Sequence, residues 1–163
     1  MANLNNLEAL FEHHLQELLS IEQQLVKALP AMAKHAHDSL LKMQLETYLE
    51  QTNVHLDRLK KIFDLLNLEP GKIKSRAMKG LIKQEEELLH EKASPETMDA
   101  GLIAATQCIA HYKISAYGTS AHFAERLGHL QAAKLLHDTL SDEQNADTRL
   151  NELAKNSVNI KAL

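Results

Sequence analysis

The sequence predicts an all-α protein: a four-helix bundle with a long helical crossover between its second and third long helices. Three observations lead there. Leu, Ala, Glu, Gln and Lys dominate, and only 5 Gly and 3 Pro occur among 163 residues, so strong helix formers prevail. Short alternating runs of Val, Ile and Thr, which would mark strands, are absent. Apolar residues recur at helical spacing over four long stretches, each bounded by capping or breaking residues. The length fits one domain, residues 1–163, large enough to bury a real core.

The first long helix is expected from about Leu4 to His37, on a stripe of Leu7, Phe11, Leu15, Leu18, Ile21, Leu25 and Leu29. Pro30 lies inside that pattern and should kink the helix or begin a new turn. Asp38 and Ser39 are good N-caps for the second helix, whose stripe includes Leu41, Leu45, Tyr48, Leu56, Leu59 and Ile62. Pro70 and Gly71 in "NLEPGK" should end it. Residues 73–92 read as a short, highly charged crossover helix or helix pair. Ser94 caps the third long helix, Pro95 is its first residue and Glu96 enters its first turn. Gly128 suits a left-handed C-cap. The fourth helix should run from about His129 to Val158. Two hairpins joined by one long crossover make the ferritin-like arrangement, in which the second and third long helices run parallel.

The net charge is −4, and the basic residues are scattered along the chain, so no nucleic-acid partner is expected. No apolar run approaches the ~20 residues of a membrane span. "MANLNNLEALFEHH" lacks a basic region followed by an apolar segment. The single cysteine, Cys108, cannot close an internal disulfide, which fits a reducing, cytoplasmic setting. Ile109 and small residues flank it, so it reads as a packed thiol. Eight of the 10 histidines read as surface or helix-end residues, while His111, one residue off the inward stripe, reads as a packing or interface residue. His55 sits on an inward stripe, either as a hydrogen-bonded bundle histidine or as a ligand.

The inward stripes also carry charge. Glu22 stands among Leu15, Leu18, Leu25 and Leu29. Gln51 and His55 are four apart on the second helix, and Glu143 and Asp147 are four apart on the fourth. On the third, Lys113 lies four after Ile109 and four before Tyr117, where an unpaired ammonium would cost several kcal/mol or lose its proton. Each polar residue lies roughly 13–16 residues from its hairpin turn, about 20–24 Å along the axis, so all should meet at one level. Two similar halves, each offering one residue and then an i, i+4 pair, give the layout of a two-metal carboxylate site. Glu22, His55, Glu143 and Asp147 can bind a cation. Gln51 is neutral, and Lys113 adds positive charge where a bridging carboxylate belongs, leaving two divalent cations short of anions. The Lys113 ammonium is therefore expected between Glu22 and Glu143, with Asp147 as a further partner. Tyr48, Tyr112 and Tyr117 read as core aromatics with buried hydroxyls.

The segments "IEQQLVKALPAMAK", "LEQTNVHLDRL", "DAGLIAATQCIAHYKISAYGTSAHFAERLG" and "TLSDEQNADTRLNELA" resemble the YciF-type bacterial stress-protein family, a branch of the ferritin-like superfamily, over nearly the whole chain. The resemblance implies a metal-binding pattern carried here by Glu22, His55, Glu143 and Asp147. Gln51, Ala110 and Lys113 depart from it, each standing where the family has Glu. It therefore implies a stress-response protein with a degenerate di-iron carboxylate site, non-catalytic and homodimeric, holding no metal or only low-affinity iron or manganese. Two other readings remain. One is an iron- or manganese-binding oxidoreductase, a ferroxidase or rubrerythrin-like peroxidase, on the incomplete site. The other is a purely structural or interaction bundle. No small-molecule substrate is legible.

Overall fold

A computed structural model of the chain describes residues 4–163. Its elements are α1 (Leu7–His35), α2 (Ser39–Leu65), α3 (Arg76–Leu89), α4 (Pro95–Leu127) and α5 (Leu130–Leu153). A π-helical turn at Ala154–Val158 follows, and then a last helical turn, α6 (Asn159–Lys161). The hairpins α1–α2 and α4–α5 pack side by side, α1 against α4 and α2 against α5, while α3 lies over α1 and α4. This is the ferritin-like bundle that the pattern predicts, and no strand occurs among the described residues.

The helix ends follow local chemistry. Asn6 caps α1, its side-chain oxygen accepting from the Ala9 N–H at 2.8 Å, so α1 begins three residues later than expected. Asp38 caps α2 through the N–H groups of Leu40 and Leu41, Ser75 caps α3 through that of Met78, and Ser94 caps α4 through that of Thr97. Gly128 closes α4 at φ 82°, the left-handed geometry that glycine adopts without a Cβ clash.

Several expectations are corrected. Pro30 begins no new turn: α1 runs through it to His35. Pro30 faces solvent, where water can reach the Val26 carbonyl that its missing N–H leaves free. The second helix ends before Pro70 and Gly71. Asn67 adopts φ 53°, and the Leu68 N–H donates to the Phe63 carbonyl at 2.9 Å, closing a C-terminal turn of Schellman type. The crossover is one helix. Cys108 is exposed, because it lies one residue, about 100°, off the stripe that Ile109 occupies.

The core runs the length of the bundle. Phe11, Leu15, Leu25, Leu29, Met32, Leu41, Leu45, Ile62, Leu102 and Leu136 are fully buried. Burying each such side chain contributes roughly 1.5–3 kcal/mol, which lets the middle layer carry charge. None of the described helices is long and apolar enough to cross a membrane.

Candidate functional site

Four ionisable side chains, one from each long helix, meet in the middle of the bundle. Glu22 (α1), His55 (α2), Lys113 (α4) and Glu143 (α5) are each 0% exposed. Each is inward because its flanking apolar neighbours at helical spacing face the core.

Lys113 is the hub. Its ammonium lies 3.0 Å from Glu22 Oε2, 2.5 Å from Glu143 Oε1 and 3.3 Å from His55 Nδ1. Two carboxylate oxygens and one imidazole nitrogen thus surround the ammonium, the carboxylates as ion pairs and the imidazole as a hydrogen-bond acceptor. The ring centroid of Tyr48 is 5.0 Å from the same nitrogen, a cation–π distance.

The outward carboxylate oxygens are paired as well. The Tyr117 hydroxyl donates to Glu22 Oε1 at 2.6 Å, and the Tyr48 hydroxyl donates to Glu143 Oε2 at 2.6 Å. A buried carboxylate accepting a hydroxyl and an ammonium is far less costly than a bare one. Both tyrosines were legible as core aromatics with buried hydroxyls, but their acceptors were not. Tyr117 does follow Lys113 by four residues, which puts both on one face.

His55 is neutral here. Burial pushes its pKa down to about 2, reinforced by the positive charges of Lys113 and Arg58. Its Nδ1 accepts from Lys113, so the proton belongs on Nε2, which faces Asp142 Oδ2 at 3.3 Å. The separations of 3.4 Å to Glu143 and 3.8 Å to Glu22 are thus contacts of a neutral ring. Arg58 donates to Asp142 at 2.6 Å and to Thr139 Oγ1 at 3.2 Å. This outer group escapes a reading of inward stripes, because Arg58 and Asp142 sit at the boundary. The visible hint is Arg58, three residues after His55 on the same helix face.

The charges do not cancel. One ammonium faces two carboxylates. Burial raises the pKa of Glu22 to about 7, opposed by Lys113 and reinforced by Glu143. Burial would lower the pKa of Lys113, but Glu143 and Glu22 outweigh it and the net shift is upward. Burial, and then the neighbouring carboxylates, lift both tyrosine hydroxyls well above their ordinary range.

Asp147 is not part of the cluster. It is half-buried, accepting from Gln107 Nε2 at 3.0 Å and lying 2.9 Å from His111 Nε2. Gln107 and His111 are four apart on α4 and grip it from outside. The Lys113 neighbourhood therefore contains Glu22 and Glu143, with His55 in the place expected for Asp147. Gln51 is half-buried at the edge of the same level, and Ala110, fully buried, offers no donor atom.

The comparisons agree with this architecture. The family described as "Domain of unknown function (DUF892)" matches residues 6–163. Protein YciF of Escherichia coli strain K12 is 38% identical over 161 residues, covering 98% of this chain and 97% of YciF. The crystal structure of the E. coli stress protein YciF superposes with a TM-score of 0.92 at 38% identity, over 95% of this chain and 98% of that one. YcfI of Rhodopseudomonas palustris follows at 0.89 and 36% identity, over 91% and 95%. A Xanthomonas campestris protein at 19% identity and TM-score 0.76, covering 94% of both chains, shares the fold. The chain therefore belongs to the DUF892 family, the family of YciF.

Proposed function

We propose that this chain is a non-catalytic, YciF-type stress-response protein in which Lys113 supplies the positive charge that metal ions bring to ferritin-like centres. The observation that carries this reading is the fully buried Lys113 ammonium, 3.0 Å from Glu22 and 2.5 Å from Glu143. The donor set does not fit two divalent cations. The space between the carboxylates is taken by an ammonium, Gln51 and Ala110 bring no charge, and Asp147 is held elsewhere by Gln107 and His111. A divalent ion entering beside Lys113 would meet a like charge at close range in a poorly screened interior.

The test is metal content after loading. Protein incubated with iron(II) or manganese(II), then desalted, is expected to retain almost none by elemental analysis. The double variant Lys113→Glu, Gln51→Glu is expected to retain about two ions per chain, as two-metal bundles do. Stoichiometric metal in the unmodified protein, or none in a folded double variant, overturns the reading. The competing reading is an iron- or manganese-dependent oxidoreductase on Glu22, His55, Glu143 and Asp147. Metal retained by protein purified without chelator would favour it.

The stress-response assignment rests on the similarity to the E. coli stress protein, and the cytoplasm is the compartment that a lone cysteine suits. The same proposal includes a homodimer. Leu40, Met43, Val54 and Leu65 are all exposed, and at 100° per residue they fall within about 60° of one another around α2. Such a stripe supports self-association.

A further inference from the structure

Four basic residues, Lys72, Lys74, Arg76 and Lys79, stand close together in the sequence, and the fold brings Lys27 of α1 beside them. A groove of about 880 Å³ opens between α1, the segment 71–75 and the start of α3, and Lys27, Lys72, Lys74, Arg76 and Lys79 line it. No carboxylate and no aromatic ring lines it. Elsewhere Arg58, Lys60, Lys83, Lys113, Lys134 and Lys161 each have an acidic partner within 4.0 Å. The five groove cations have none among the described residues, as is also true of Lys34, Lys42, Lys61, Lys92, Arg126, Arg149 and Lys155, so what sets the groove apart is that five cations share one concavity.

The floor of the groove is built rather than loose. The Ser75 N–H donates to Ser20 Oγ at 3.1 Å. Gln24 Nε2 donates to Ser20 Oγ at 3.1 Å and to the Ser75 carbonyl at 3.1 Å. Ser75 Oγ lies 3.2 Å from the Tyr112 hydroxyl. These bonds tie the segment before α3 to α1 and α4, and Ser20 and Ser75 are buried beneath the cations. The positive end of the α3 dipole adds to the same field.

Five uncompensated cations on a fixed floor, in a chain of net charge −4, repel one another until an anion joins them. We propose that this groove binds a compact multivalent anion of two or three linked phosphoryl groups. Lysines act as point charges on phosphate oxygens, and Arg76 can bind two oxygens at once. The volume falls in the range of small-ligand sites. With no ring to stack a base, recognition rests on the phosphates alone. Inorganic tripolyphosphate and a nucleoside triphosphate share that chemistry.

Calorimetric titration of the full chain at about 150 mM salt, an ionic strength that screens loose surface attraction, tests this. Tripolyphosphate should bind saturably at one site per chain, and ATP no more tightly, since adenine finds no partner. ATP binding tenfold tighter would identify a nucleotide as the source of the phosphates and keep the site. The double variant Lys72→Ala, Arg76→Ala should weaken tripolyphosphate by about tenfold or more, with an unchanged melting curve because both residues are exposed. Lys42→Ala, on α2, should bind as the unmodified chain does. No saturable binding, or equal weakening by Lys42→Ala, overturns the proposal. So does a single-stranded oligonucleotide that binds far more tightly than tripolyphosphate, with a salt slope spanning many phosphates, because a polymer would then be the occupant.

Discussion

At the scale of the residue, Lys113 holds together groups that would not tolerate one another without it. Replacing it with Met fills the space but leaves Glu22 and Glu143 buried side by side with no cation. Lys113→Met should therefore lower unfolding stability by roughly 3 kcal/mol or more in urea titration at pH 7. The pH dependence follows from two opposed shifts. His55 ordinarily titrates at 6.5 but is held at about 2 when folded. Its contribution is therefore present above 6.5 and lost as pH falls towards 2. Glu22 moves the other way, from 4.5 to about 7. Its contribution is present below 4.5 and lost as pH rises through 7. Between about 4.5 and 6.5 the two slopes oppose, so these groups leave stability nearly flat. Below 4.5 only the His55 slope remains, about 1.4 kcal/mol per pH unit. Glu22→Gln removes one slope, and denaturant midpoints of that variant should then fall from pH 6.5 downwards instead of holding level.

At the scale of the element, the α1–α2 corner is fastened from outside its own hairpin. Asp99, buried near the start of α4, accepts the His37 N–H through Oδ1 and the Asp38 N–H through Oδ2, both at 2.7 Å. Asp99→Ala strands two donors at that corner and should cost about 2 kcal/mol in a thermal or chemical melt. The corner also shows what a sequence can disclose. Asp38 as a cap is local chemistry, a side chain reaching residues two and three ahead, and it is readable. Asp99 is 62 residues from His37, and no periodicity announces that pairing. The same contrast separates Lys113, conspicuous on an apolar stripe, from Asp147. Asp147 shares the spacing of Glu143 but faces Gln107 and His111, because four residues advance a helix by about 400° and leave it 40° further round. A boundary position resolves only when the neighbouring helix is in place.

At the scale of the whole molecule, the bundle was legible and its surfaces were not. Lys27 and Arg76 stand far apart in the sequence, and only the packing of α3 over α1 brings them to one groove. The stripe on α2 leads to a measurement of its own. Sedimentation velocity over a concentration series should show a dimer, and Met43→Lys with Val54→Lys should shift it to monomer with little change in melting temperature, since both side chains are exposed.

The two tyrosine–carboxylate bonds have one more consequence. Tyr48 and Glu143 belong to opposite hairpins, and so do Tyr117 and Glu22. Where the seam between the hairpins is leucine against leucine, it would by itself accept a slip of one turn, about 5.4 Å, at modest cost. These paired groups would not: a slipped docking strands every hydroxyl, acid and amine at once. The polar layer thus works as a key in a keyway, admitting one alignment of the halves and rejecting its near misses.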